Sequence, residues 1–142
     1  MSPKYYALSV YLRQRFGERT QKIPLDAGLN CPNRDGTLST RGCIFCNPTG
    51  SGTGQASQGK SLEEQWSWWR ERLAKRYKAR RFLAYLQSFS NTYCSLEQFT
   101  ALLSQLSNLP QLSGICIGTR PDCLDAAKLD LLKELPVPEI WL

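Results

Sequence analysis

The stretch Phe82-Leu-Ala-Tyr-Leu-Gln-Ser-Phe89 is followed by a short polar segment and then by Ser95-Leu-Glu-Gln98. A nearly continuous apolar run of this length is typical of a parallel strand that is buried on both faces. Ser95 and Gln98 have the spacing of a capping box, in which each side chain accepts a hydrogen bond from the other residue's backbone N–H. The stretch therefore predicts a strand, a loop and a helix in that order.

The same alternation continues on both sides of this stretch. Residues 21–26 predict a first strand, residues 112–118 a third, and residues 139–142 the start of a fourth. Helices are predicted at residues 4–16, from Ser61 onward, from Ser95 onward, and at residues 124–135. This order predicts an α/β fold, with a parallel sheet and right-handed crossovers.

Three of the predicted helices have apolar stripes, and that of the helix after Ser95 consists of Leu96, Phe99, Leu103 and Leu106. The first carries Tyr5, Leu8, Leu12 and Phe16, with Gly17 as its stop. In the second, Ser61 and Glu64 form a capping box, and the stripe that follows consists of Leu62, Trp66, Trp69, Leu73 and Tyr77. Tryptophans at this spacing predict a helix packed on a core rather than a cofactor platform.

The composition is that of one globular domain, with 142 residues, 42% hydrophobic and 21% charged. No segment approaches the ~20 apolar residues of a membrane span, and the N-terminus lacks the order of a signal peptide. We therefore expect a cytoplasmic protein with no membrane contact. In such a protein the six cysteines predict metal or redox chemistry rather than disulfides.

The net charge is +6, and much of it comes from Lys and Arg side chains between residues 70 and 81. Such a cluster can attract nucleic acid or anionic cofactors. A solvated helix face is the alternative interpretation.

Three cysteines, Cys31, Cys43 and Cys46, lie in one loop rich in Gly, Pro and Asn, and the protein contains no histidine. A metal bound here must be held mainly by thiolates. A cubane iron–sulfur cluster normally takes four cysteines, so three thiolates leave one iron open to a substrate or cofactor. The loop follows the first predicted strand, and polar motifs follow the second and third, so all three meet at the carboxyl edge of the sheet, where such folds bind ligands.

Three motifs resemble the YhcC-like family of radical S-adenosylmethionine (SAM) proteins, which is similar to the Elongator catalytic subunit. These are Cys31-x(11)-Cys43-Ile-Phe-Cys46 with its flanks, Gln87–Tyr93 and Ile117–Asp122. The resemblance covers nearly all of residues 4–142. It implies a radical SAM core domain over residues 1–142, holding the first four units of a partial (β/α)6 barrel. The cluster loop would span residues 27–54, and the barrel would be truncated.

The resemblance also implies the chemistry. Cys31, Cys43 and Cys46 would hold a 4Fe-4S cluster, and SAM would fill the open iron. Reduction by an external electron donor would give a 5′-deoxyadenosyl radical that acts on an unknown substrate, for which RNA is a candidate. Gln87, Ser88 and Phe89 would meet the SAM amino group, although the Gly-Gly-Glu motif common in the superfamily is absent here. Predicted contacts to the ribose, carboxylate or adenine come from Thr119, Arg120 and Phe45.

Two alternatives remain open at this point. Cys31, Cys43, Cys46 and Cys94 could form a non-catalytic four-cysteine zinc site, or the chain could be an inactive truncated remnant. Cys116 is expected to be a buried apolar residue, and Cys94 and Cys123 to be inert thiols or a fourth ligand. The other polar residues are expected to serve local structure. Asn33, Arg34 and Asp35 are expected to form a turn, and Asp122 is expected to cap a helix.

Overall fold

The computed structural model describes residues 4–142. Its centre is a four-stranded sheet made of β1 (Thr20–Leu25), β2 (Arg81–Leu86), β3 (Leu112–Ile117) and β4 (Ile140–Trp141). Every pair of neighbours is parallel, and the strands lie in chain order. The predicted α/β class with a parallel sheet is therefore confirmed.

Four helices accompany the sheet: α1 (Leu8–Phe16), α2 (Leu62–Tyr77), α3 (Leu96–Ser107) and α4 (Ala126–Lys133). Short 3-10 turns cover Ala56–Gln58 and Pro121–Cys123. Both predicted capping boxes are present, at Ser61 and Ser95. No helix in residues 4–142 has the length and apolar character needed to cross a membrane.

Two predicted helix boundaries are wrong. The first helix begins at Leu8 and not at residue 4, because Ala7 is extended and offers no side-chain cap; Tyr5 is 74% exposed. The last helix is capped by Asp125, whose side chain accepts the Lys128 N–H, whereas Asp122 lies in the preceding 3-10 turn. Asp122 is therefore not the cap.

The strands end earlier than the apolar runs predict. β2 stops at Leu86, and the following residues turn away, with Phe89 in the left-handed region at φ 63°. A strand cannot continue through that conformation. Pro24 is accommodated in β1 because β1 has a neighbour on one side only.

The two faces of the sheet are covered differently. The larger core packs α2, α3 and α4 against one face, with Trp66, Phe82, Phe99 and Leu106 fully buried. On the other face Leu12 of α1 packs with Leu83 and Cys116. Cys116 is 5% exposed, and burial raises the pKa of its thiol to about 11, so the prediction of a buried cysteine is confirmed.

The carboxyl ends of the first three strands are level with one another. Leu25 pairs with Leu86, and Leu86 pairs with Ile117. The loops that follow these three residues therefore start side by side, and they carry the three motifs singled out in the sequence.

Candidate functional site

A cavity of about 380 Å³ opens at this carboxyl edge, between the three loops. Cys31, Cys43 and Cys46 all line it. Five of the six predicted SAM contacts line it as well: Phe45, Gln87, Phe89, Thr119 and Arg120. The sixth, Ser88, lies outside the lining; it is 1% exposed and its hydroxyl has no hydrogen-bond partner in the described chain.

Local turns orient the cysteines. The Cys46 N–H donates to the Cys43 carbonyl at 2.9 Å, closing a turn around Ile44 and Phe45. Ile44 is fully exposed and Phe45 is 78% exposed, so Phe45 stands at the rim of the cavity. The Cys31 N–H donates to the Asn30 side chain at 2.8 Å, and Cys31 itself is buried.

Two side chains donate hydrogen bonds to the cysteine sulfurs. The Ser90 hydroxyl donates to Cys31 Sγ at 3.4 Å, and the Asn33 amide donates to Cys43 Sγ at 3.3 Å. From the sequence, Asn33 was expected only to shape a turn, and no role was predicted for Ser90. The one available signal for Ser90 was its position in the loop after β2; nothing in the sequence indicates its partner.

The cysteine loop is held against the loop after β2. Arg34 donates to the carbonyls of Asn47 at 3.0 Å and Pro48 at 3.4 Å, while its guanidinium lies 5.5 Å from the centre of the Phe89 ring. A Cβ on Gly50 would come within 2.7 Å of that ring. Arg34 therefore lines the cavity and braces the loop, whereas Asp35 accepts the Thr37 N–H in the predicted turn.

Asn91 and Thr92 tie the loops after β2 and β3 together. The buried Asn91 amide donates to the carbonyls of Leu86, Ser88 and Gly118 at 2.9–3.1 Å. The Thr92 hydroxyl lies 2.6 Å from both the Thr119 hydroxyl and the Cys123 carbonyl. These bonds place Thr119 on the cavity wall.

Arg120 already has an anionic partner. Its Nε and Nη2 donate to the two carboxylate oxygens of Asp122, at 2.9 and 2.7 Å. This pairing raises the pKa of Arg120 above its ordinary value and lowers the pKa of Asp122. A ligand carboxylate that approaches Arg120 must compete with Asp122 for the guanidinium.

Cys94 and Cys123 lie elsewhere. Both line a separate cavity of about 350 Å³ next to Lys128, and burial raises the pKa of each thiol. The structure thus does not place Cys94 on the cavity that Cys31, Cys43 and Cys46 share.

Within residues 4–142, no three or more His, Cys, Asp or Glu side chains lie together in an arrangement that could hold one metal ion. A closed tetrahedral zinc site requires that arrangement. An iron–sulfur cluster does not require it. Each cysteine binds a different iron, so the sulfurs lie farther apart than the ligands of one metal ion.

The chain is similar over most of its length to bacterial and archaeal proteins. It is 37% identical to the uncharacterized protein YtqA of Bacillus subtilis over 132 residues, which are 93% of this chain and 41% of YtqA. It is 38% identical to the protein YhcC of Escherichia coli K12 over 133 residues, which are 92% of this chain and 42% of YhcC. An uncharacterized protein of Methanocaldococcus jannaschii is 33% identical over 127 residues, 88% of this chain and 38% of that protein.

The chain thus spans about two fifths of the length of these relatives. No protein-family model matches it, and no solved structure gives a significant match.

Proposed function

We propose that this protein is a radical SAM protein, which binds an iron–sulfur cluster through Cys31, Cys43 and Cys46 and binds SAM beside it. One observation carries the proposal. The three cysteines and five of the residues expected to contact SAM line the same cavity, although they come from three separate loops.

The donor set of the cavity suits such a cluster. No histidine, aspartate or glutamate lines it, so the ligands on offer are soft thiolates, which favour iron–sulfur clusters or zinc over magnesium or calcium. Arg34 adds positive charge to the lining, which complements an anionic thiolate cluster. Hydrogen bonds from Ser90 and Asn33 supply the outer support that metal-bound sulfurs commonly have.

When bound, the cluster and SAM supply a one-electron cleavage that yields a 5′-deoxyadenosyl radical. The protein supplies binding and orientation. Thr119 is held by Thr92 and can meet a polar group of SAM. Arg120 can donate hydrogen bonds to the SAM carboxylate in exchange for those to Asp122. Phe45 and Phe89 provide apolar surface along the cavity wall.

The finer architecture is part of the proposal. A parallel sheet whose strands lie in chain order is the arrangement from which a (β/α) barrel is built. We propose that the four strands form part of such a barrel, with the cavity at its carboxyl end. The substrate stays unassigned, with RNA as a candidate, and an external electron donor is required.

Anaerobic reconstitution tests the proposal. The protein should take up about four irons and four sulfides, become brown, and lose the cluster when any of Cys31, Cys43 or Cys46 is changed to Ala. Cys94→Ala is the matched control and should keep the cluster. Uptake of zinc alone, or equal loss of metal in Cys94→Ala, would contradict the proposal.

A further inference from the structure

Positive charge is concentrated on and around α2. Residues 60–81 contain eight Lys and Arg and three Glu, a net charge of +5 out of +6 for the whole chain. Glu64 is engaged in the capping box, where it accepts the Ser61 N–H at 2.8 Å. Residues 60–81 therefore carry most of the net positive charge of the protein.

An exposed tryptophan lies in the middle of this surface. Trp68 is 42% exposed and packs edge-on against Trp69. The Arg72 guanidinium lies 4.5 Å and the Lys60 ammonium 5.7 Å from the centre of a Trp68 ring. Trp68 is thus an aromatic surface bordered by cations, and no apolar neighbour covers it fully.

Further cations lie on the same side of α2 as Trp68. Trp68, Arg72, Lys75 and Arg76 occupy positions i, i+4, i+7 and i+8, which share one side of a helix. All four are exposed, as is Lys60 at the start. We call these five residues the basic–aromatic face.

The cations of this face are free to bind a ligand. In residues 4–142, no carboxylate lies within 4 Å of the charged groups of Lys60, Arg72, Lys75 or Arg76. By contrast, Arg80 and Arg81 pair with Glu18. Unpaired cations can neutralise phosphates without first breaking a salt bridge.

We infer that the basic–aromatic face of α2 binds single-stranded nucleic acid. An unpaired base stacks on Trp68, and Arg72 or Lys60 moves from the ring onto an adjacent phosphate. Lys75 and Arg76 contact further phosphates along the helix. Aromatic stacking combined with a positive track is the general basis of single-strand binding.

Other ligands fit this face less well. A membrane surface requires an exposed apolar helix stripe, whereas Leu62 and Trp66 of α2 are buried in the core. Duplex DNA or RNA offers phosphates but no unstacked base for Trp68. An acidic peptide would use the cations but leave the tryptophan without a stacking partner.

The face is connected to the carboxyl edge of the sheet. Trp69 donates its indole N–H to Gln55 at 3.1 Å, and Gln65 exchanges hydrogen bonds with the backbone of Asp26 at 2.8 and 2.9 Å. These bonds hold α2 beside Asp26 and Gln55, which flank the loop that carries the cysteines. The inference does not depend on the cluster, since binding can be measured on iron-free protein.

Fluorescence anisotropy with a labelled oligouridylate of about 12 nucleotides tests the inference. Trp68→Ala should weaken binding by about 10-fold, the scale of one stacked base, and Trp68→Phe should weaken it less. The double variant Arg72→Gln/Arg76→Gln should reduce the salt dependence by about 1.4 logarithmic units per decade of salt. The charge-matched control Arg13→Gln/Lys133→Gln should bind like the original protein.

The same binding assay is repeated with oligothymidylate and with an RNA duplex of the same length. Similar affinity for oligothymidylate supports stacking, because every base has an aromatic face. Duplex binding as tight as single-strand binding would overturn the inference, and so would unchanged affinity in Trp68→Ala. A change of oligomeric state in Trp68→Ala, measured by light scattering, would assign the face to a second copy of the chain instead.

Discussion

The Ser90 hydroxyl donates a hydrogen bond to the sulfur of Cys31 at 3.4 Å, across 59 positions of sequence. Both residues are buried, with 2% and 9% exposure. The contact links the loop after β2 to the first of the three cysteines. It places a single polar hydrogen against a sulfur that, in the proposed function, carries iron.

Removing this hydrogen bond should make the cluster harder to reduce. A donor to a cluster sulfur stabilises the electron-rich reduced state, so Ser90→Ala should shift the midpoint potential to a more negative value. Asn33→Ala should act in the same direction through Cys43. Redox titration followed by electron paramagnetic resonance measures both shifts. Ser113→Ala, another buried serine, is the control, and equal potentials in all variants would contradict the prediction.

The Arg120–Asp122 pair should control SAM affinity in two opposite directions. Arg120→Ala removes a charge-assisted contact and should cost about 1.5–3 kcal/mol of SAM binding. Asp122→Asn releases the guanidinium from its present partner and should tighten binding. Calorimetry on the reconstituted protein measures both affinities. If both variants lose affinity equally, the pair has a scaffolding role and Arg120 does not contact SAM.

Gly50 should tolerate no side chain. Its φ is 66°, and an added Cβ would lie 2.7 Å from the Phe89 ring. Gly50→Ala should displace the cysteine loop and lower iron uptake. Gly59→Ala is a matched control, because Gly59 has φ 75° but nothing within 4 Å of the added atom. It should cost only the left-handed strain, roughly 1–2 kcal/mol, with normal iron uptake.

A second substitution separates the clash from the strain at Gly50. In Gly50→Ala/Phe89→Ala the ring is gone, so iron uptake should recover in part. Iron analysis and urea unfolding measure the two effects. No recovery in the double variant would mean that the clash with Phe89 is not the cause.

Acid should weaken the contact between α1 and β4. Hydrogen bonds from Trp141, Tyr11 and Arg15 hold the pKa of Glu139 at about 2, below its ordinary value of 4.5. The stabilisation is therefore complete above about pH 4.5 and is lost as the pH falls toward 2. Glu139 thus contributes on the order of 2 kcal/mol to the free energy of unfolding, a value reduced because solvent screens the exposed Arg15.

Urea unfolding at several pH values checks this prediction. Glu139→Gln should lower the free energy of unfolding at pH 7, and its stability should fall less between pH 4.5 and pH 3 than that of the original protein. Glu134→Gln is a control, since Glu134 is exposed and makes no ion pair within the described residues. The same pH profile in Glu139→Gln and the original protein would show that Glu139 is not responsible.

Local signals predicted most of the architecture. Capping boxes at Ser61 and Ser95 mark helix starts through contacts three residues apart, so the sequence contains the whole interaction. The apolar runs indicate the strands through composition, because a parallel strand buried on both faces is apolar at nearly every position. Predictions failed where two polar residues compete for one local role: Asp125 caps the last helix, and Asp122 pairs with Arg120 instead.

The sequence by itself determined the chemistry that the site can offer. Three cysteines in one loop and the absence of histidine limit any metal there to thiolate ligands mainly, and the alternation of strands and helices puts that loop at a carboxyl edge. These conclusions need only residue types and short spacings.

Only the tertiary structure decided which side chains surround the cysteines. The register that aligns Leu25, Leu86 and Ile117 starts three loops at one level. Ser90 then reaches Cys31, while Cys94, four residues farther on, lines a different cavity. Contacts between loops depend on strand register and on single backbone turns such as that at Phe89, and neither is encoded in a spacing along the chain.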